Sequence, residues 1–202
     1  MCYSAESSGG TFLFVLCAAA FLAFGKGQPA IALLLIVLAS MQVIEYIIWS
    51  STPSCTPLNY AASSAIPVVL ALQPTLLALV LWRFDAGYAS PHLYRGLFYF
   101  GCLATAVVAV YTALNPRTSC VAPSDKGHLD WDLDASFFAA FRTFYNPLIS
   151  FLLLSLKPWF LGVPLFAVYF LSFLHYRNRY PKEWPSLWCH GINAGAAIAL
   201  VA

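Results

Sequence analysis

Charge is what this sequence has least of. Its 202 residues include 10 Lys and Arg against 8 Asp and Glu, 9% in all, where soluble domains carry about 25%. Hydrophobic residues make up 61% of the chain, and the mean hydropathy is +0.76. A water-soluble fold of this length could not hide that much apolar surface, so most of it must face lipid or other helices. The small formal charge of +2 and the lack of any basic stripe exclude nucleic acid as a partner.

Other absences narrow the chemistry. No Asn-x-Ser/Thr sequon occurs. The opening MCYSAESSGG has no basic stretch, so the first apolar run is expected to be a retained membrane helix rather than a cleaved leader. Cys rather than Gly follows Met1, which removes a myristoylation signal. No lysine lies in the last apolar segment to hold retinal, and Lys157 falls at a turn. The four histidines are scattered with no HxxxH or HExxH, so no zinc motif is present. His175 and His190 are the nearest thing to a haem-ligating pair. GxSxG is also missing. No cofactor and no metal are therefore expected.

What the chain does have is apolar segments punctuated by Pro, Gly and polar turns. Thr11–Phe24, Ala30–Ser50, Tyr60–Trp82, Leu93–Leu114, Phe137–Leu156, Trp159–Tyr176 and Ser186–Ala202 read as seven spans. The first is short and is expected to begin upstream, towards Ala5. The fifth carries a charge, Arg142. The expectation is an all-α, polytopic transmembrane helix bundle of about seven spans, a single domain over residues 1–202 with a polar loop at 115–136. An odd span number places the chain ends on opposite faces. The N-terminal face is called X below and the other Y.

Lysine and arginine do not decide which face is cytoplasmic. Arg117, Lys126, Arg177, Arg179 and Lys182 fall on X, and Lys26, Arg83, Arg95 and Lys157 on Y. Cysteine offers a second test. Cys55 and Cys120 lie in two different X loops; joined as a disulfide they would make X the oxidising side, and otherwise they are two free thiols. Cys2, N-terminal once Met1 is removed, reads as inert, the alternative being a reactive or lipidated thiol.

The polar residues inside the spans share one half of the membrane. MQVIEYIIW, Met41–Trp49, puts Gln42 and Glu45 on one helix face. A carboxylate at the bilayer centre costs roughly 2.5–3.5 kcal/mol on insertion scales. Counting about 1.5 Å per residue, Glu45 and Arg142 lie at similar depth, near enough for an ion pair. Asn146 is one turn beyond Arg142. Gln73 precedes Pro74 in the third span, and His190 and Asn193 share a face of the seventh. Besides snorkelling at the lipid interface, two readings stand side by side. Glu45 and Arg142 form a structural ion pair with the amides tying helices together, or Gln42, Glu45, Gln73, Arg142, Asn146, His190 and Asn193 line a polar cavity open to X. Outside it, Asp130, Asp132 and Asp134 start like a calcium loop. Ala135 and Phe141 stand where that loop needs Gly and Glu, so it is not an EF-hand. These acids either form a cation-gathering mouth or belong to a solvated loop capping the fifth span.

The opening Met1-Cys2-Tyr3-Ser4, MQ-x-x-E-x-x-x-W at Met41–Trp49, Leu72-Gln73-Pro74, His128-x-x-Trp131 and Ser186-Leu-Trp-Cys189 together resemble a small uncharacterised family of polytopic membrane proteins from microalgae, other protists and large algal DNA viruses. The resemblance covers nearly the whole chain. It implies a multi-pass membrane architecture and no catalysis.

The sequence thus points to a protein of the lipid bilayer that binds or transports a small ion or polar solute through a half-membrane polar cavity. The alternative is a non-catalytic accessory subunit, packed against other membrane subunits or a second copy of itself. A membrane enzyme comes third.

Overall fold

The computed structural model describes residues 4–131, 135–180, 186 and 191–201, and for 135–142 the backbone alone. It is an all-α bundle. The helices are α1 (Ala5–Ala20, extended by a π turn at Phe21–Gly25), α2 (Pro29–Ser51), α3 (Pro57–Arg83), α4 (Pro91–Leu114), α5 (Ala135–Leu154), α6 (Trp159–Arg179) and α7 (Gly191–Val201). Five of them, α1 with its π turn, α2, α3, α4 and α6, have 21 to 27 residues and are apolar enough to cross a membrane. At about 1.5 Å per residue even the shortest spans a hydrocarbon core of about 30 Å. The described apolar stretches of α5 and α7, Thr143–Leu154 and Gly191–Val201, are shorter.

Cap chemistry explains where the helices start. Ser4, Thr56 and Ser90 each accept a hydrogen bond from the backbone N–H three residues on, at 3.2, 3.1 and 3.3 Å. Pro57 and Pro91 then occupy the first helical turn, where a missing N–H is harmless. Both helices therefore begin two or three residues before the apolar runs at Tyr60 and Leu93. Hydropathy sees the membrane-soluble part of a helix, not its capped first turn.

Inter-element contacts fix the direction of each helix. At one end, Cys55 before α3 is bonded to Cys120 after α4, with Cα atoms 5.5 Å apart. Tyr60 Oη donates to the Arg117 carbonyl at 3.1 Å. At the other end, the α3–α4 and α5–α6 connections run together: Tyr88 N–H donates to Ser155 O at 2.7 Å and Lys157 N–H to Ala86 O at 2.8 Å. Lys26, in the α1–α2 turn, reaches the Leu200 carbonyl of α7 at 2.9 Å, as a cation at a helix C-terminus should. The first end is face X and the second face Y. Successive helices alternate in direction, and α1 and α7 run the same way.

Within the bundle α2 packs on α1, α3 and α7, while α3 packs on α2, α4 and α5. Helix α4 rests mainly on α3, through Gly101, where a side chain would strike Thr75. Its other faces expose Leu93, Phe100, Leu103, Val107 and Val110.

The segment after α4 is more folded than a solvated loop. Strands β1 (Ala122–Pro123) and β2 (Leu129–Asp130) pair antiparallel around Gly127, whose φ of 73° suits glycine. Val121, His128, Leu129 and Trp131 are buried. The Val121 N–H donates to Ser63 Oγ at 2.9 Å, Arg117 donates to the Trp131 carbonyl at 2.7 Å, and the His128 ring meets Tyr180 edge-on. This cap, tied by the disulfide, covers face X of α3 and the end of α6. Buried apolar side chains and these hydrogen bonds hold it there. Of the three acids, Asp130 is half-buried in β2; Asp132 and Asp134 lie outside the described residues.

Candidate functional site: the polar interior near face X

Glu45 and Gln42 are both fully buried, at 0% exposure, on the inner side of α2. Their neighbours on that helix, Met41 and Ile48, are equally buried and apolar. Burial of a carboxylate is expensive without pairing or hydrogen bonding, so α2 is not merely a lipid-solvated span.

Gln73 is the hub of the best-defined polar network. It is buried in the middle of α3, next to Pro74. Its Nε2 donates to the Leu38 carbonyl of α2 at 3.2 Å and also approaches Val37 O and Ser40 Oγ at 3.4 Å. Its Oε1 accepts from Tyr145 Oη of α5 at 2.5 Å. One amide thus joins three helices. Beside it on α5, Asn146 Oδ1 accepts from Tyr169 Oη of α6 at 3.1 Å. In the membrane such bonds average about 0.6 kcal/mol and reach 1–2 in model systems, so this network sets helix register more than it adds stability.

A second junction joins α1 and α7. Asn193 Nδ2 donates to Thr11 Oγ1 at 3.0 Å. Ser8 lies one turn from Thr11 on the same helix and is fully buried. Its Oγ has no hydrogen-bond partner among the described residues, nor has Asn193 Oδ1.

The sequence-derived set therefore divides. Gln42, Glu45, Gln73, Asn146 and Asn193 all face the bundle interior, wholly or partly buried. Gln73 and Asn146 belong to two hydrogen-bonded pairs that meet α5 at neighbouring residues, while Asn193 belongs to the α1–α7 junction. The side chain of Arg142 and all of His190 lie outside the described residues. Tyr145, Tyr169, Thr11 and Ser8 were not among the expected residues. Their ring, methyl and small hydroxyl groups blend into an apolar span, so only the facing partner reveals them. A weak sequence signal existed for one: Tyr145 stands beside Asn146.

Among the described residues no group of three or more His, Cys, Asp or Glu could hold a metal ion. No protein-family model, curated protein or solved structure matches the chain.

Proposed function

We propose that this integral-membrane bundle has seven spans and holds a polar pocket in its face-X half, which binds or moves a small ion or polar solute with Glu45 as its central group. The observation carrying this reading is the complete burial of Glu45 and Gln42 within a helix otherwise built for lipid. The residues behind the family resemblance point to the same region: Gln42, Glu45, Gln73, His128 and Trp131 are all buried. So do the buried side-chain atoms with no partner among the described residues. Ser8 Oγ, Trp49 Nε1, Ser64 Oγ, Trp131 Nε1, Ser186 Oγ and Asn193 Oδ1 all belong to the face-X half. An interior intended only for packing would not gather such groups at one end.

Register supports a countercharge in Arg142. Tyr145 meets Gln73, and Gln73 meets Leu38. One turn towards face X from Leu38 is Gln42, and about one turn the same way from Tyr145 is Arg142. The Arg142 backbone is then level with Gln42 and within a turn of Glu45. In this reading the two charges compensate each other across the interior.

Paired variants test this. Breaking a buried ion pair typically costs about 3–5 kcal/mol, while replacing both partners with apolar residues is often neutral. Glu45→Leu alone and Arg142→Met alone should each lower the thermal transition in detergent, and the double variant should recover most of the loss. Solute or ion flux into liposomes should stay abolished in the recovered double variant. Full flux there would remove Glu45 from any mechanism. Additive stability losses would show that the two charges never meet.

One observation favours the accessory-subunit reading: α4 rests mainly on α3 and presents a long aromatic and aliphatic outer face. Its test is the mass of the particle extracted in mild detergent. A particle of one chain counts against it.

A further inference from the structure

We infer that a monovalent alkali cation binds in the wedge between α1, α2 and α7, held by Ser8, Thr11, Glu45 and Asn193. This deepens the pocket reading above and rests on it. The wedge is defined by contacts on both flanks of Ser8. The next residue, Gly9, lies against α2, since a Cβ there would stand 3.1 Å from Tyr46 Cδ2. One turn along, Thr11 is bonded to Asn193 of α7. Ser8 therefore points between α2 and α7, at the level of Tyr46 and so of its neighbour Glu45. Helices α1, α2 and α7 all pack on one another.

The groups in the wedge are oxygens. Ser8 Oγ is fully buried with no partner among the described residues. Asn193 spends its Nδ2 on Thr11, which leaves Oδ1, buried and likewise without a partner there, as an acceptor. Thr11 Oγ1 keeps a lone pair. Glu45 supplies the charge. Hydroxyl, amide and carboxylate oxygens are ligands for hard cations. With the Arg142 guanidinium displaced from it, one carboxylate balances one positive charge, whereas a divalent ion would leave excess charge buried. Arg142, level with Gln42, would compete with the cation for the same carboxylate, so Arg142→Met should tighten binding.

The test uses the purified full-length protein in detergent, with NaCl or KCl replacing choline chloride at constant ionic strength. A ligand that binds only the folded state raises the transition in a saturable way. The expected result is a saturable rise with at least one of the two ions. Ser8→Ala and Asn193→Ala should each weaken it roughly tenfold. In choline chloride Ser8→Ala should unfold no earlier than the parent, because it removes a buried hydroxyl that has no partner; this guards against a trivial folding defect. Identical transitions in all three salts would overturn the inference. So would a rise that Ser8→Ala and Asn193→Ala leave unchanged, since the ion would then sit elsewhere. Liposome flux separates the two levels. If no cation effect appears but Glu45→Gln still abolishes solute flux, only the cation site falls. If flux ignores Glu45, the pocket reading falls with it.

Discussion

The two ends of the bundle solve the same problem in different ways. At face Y, the connections close on one another through backbone hydrogen bonds. Tyr88, Ser155, Ala86 and Lys157 form a short strap. Tyr88 Oη accepts from the Trp159 N–H at 3.1 Å, and Tyr94 Oη accepts from the Ala89 N–H at 3.0 Å. Gly87 is required in this strap, because any Cβ would collide with the Tyr94 hydroxyl. The exposed Lys157–Asp85 pair at 3.8 Å adds little. At face X, a folded cap is joined to the helices by a disulfide, by apolar anchors and by the Val121–Ser63 and Tyr60–Arg117 hydrogen bonds. In the same half of the bundle lie the buried Glu45 carboxylate and several buried hydroxyl and indole groups with no partner among the described residues. An end whose polar groups satisfy each other is a seal. On the function proposed above, the end with spare buried polar groups is the one that would take a polar occupant.

That contrast can be broken most strongly at the disulfide. The bond closes a long loop, with a sequence separation of 65. Losing a disulfide typically costs about 2–4 kcal/mol, more for longer loops. Cys55→Ser with Cys120→Ser, or reduction of the parent, should lower the thermal transition. Hydrogen exchange should show deprotection of Val121 and Leu129 while the Tyr88 strap stays unchanged. Equal deprotection at both faces would mean that the cap is not a separate cover.

A smaller effect is expected at Gln73, which joins the two halves. Gln73→Leu removes the tie between α2, α3 and α5 and strands the Tyr145 hydroxyl, a loss of about 1–3 kcal/mol. Tyr145→Phe on the same background should restore part of it, because the stranded group is then gone. A double-mutant cycle with no coupling would separate the two residues.

The helices were legible in the sequence because lipid demands continuous apolar runs, and α2, α3, α4 and α6 fall within a few residues of those runs. Their starts needed cap chemistry that hydropathy ignores, although Thr56-Pro57 and Ser90-Pro91 carry it openly. Which polar residues meet was less legible. Helical spacing puts Gln42 with Glu45 and Asn193 in the face-X half, but it cannot choose a partner on another helix. That choice depends on how far α3 slides along α2, which Gln73 fixes against Leu38. The cap was hidden for another reason. Leu129 and Trp131 alternate with Asp130 in the pattern of a half-buried strand, but three aspartates nearby make the segment look solvated.

Access to the polar half is the measurement closest to the central claim. Cys2, Cys17, Cys102 and Cys189, the four cysteines outside the Cys55–Cys120 bond, would be replaced, after which Gln42→Cys is introduced and the protein reconstituted with known orientation. A membrane-impermeant thiol reagent should modify position 42 from face X and not from face Y, and faster once the Cys55–Cys120 pair has been replaced by serine. Modification from face Y, or from neither face with the cap released, would contradict a polar pocket opening under the cap.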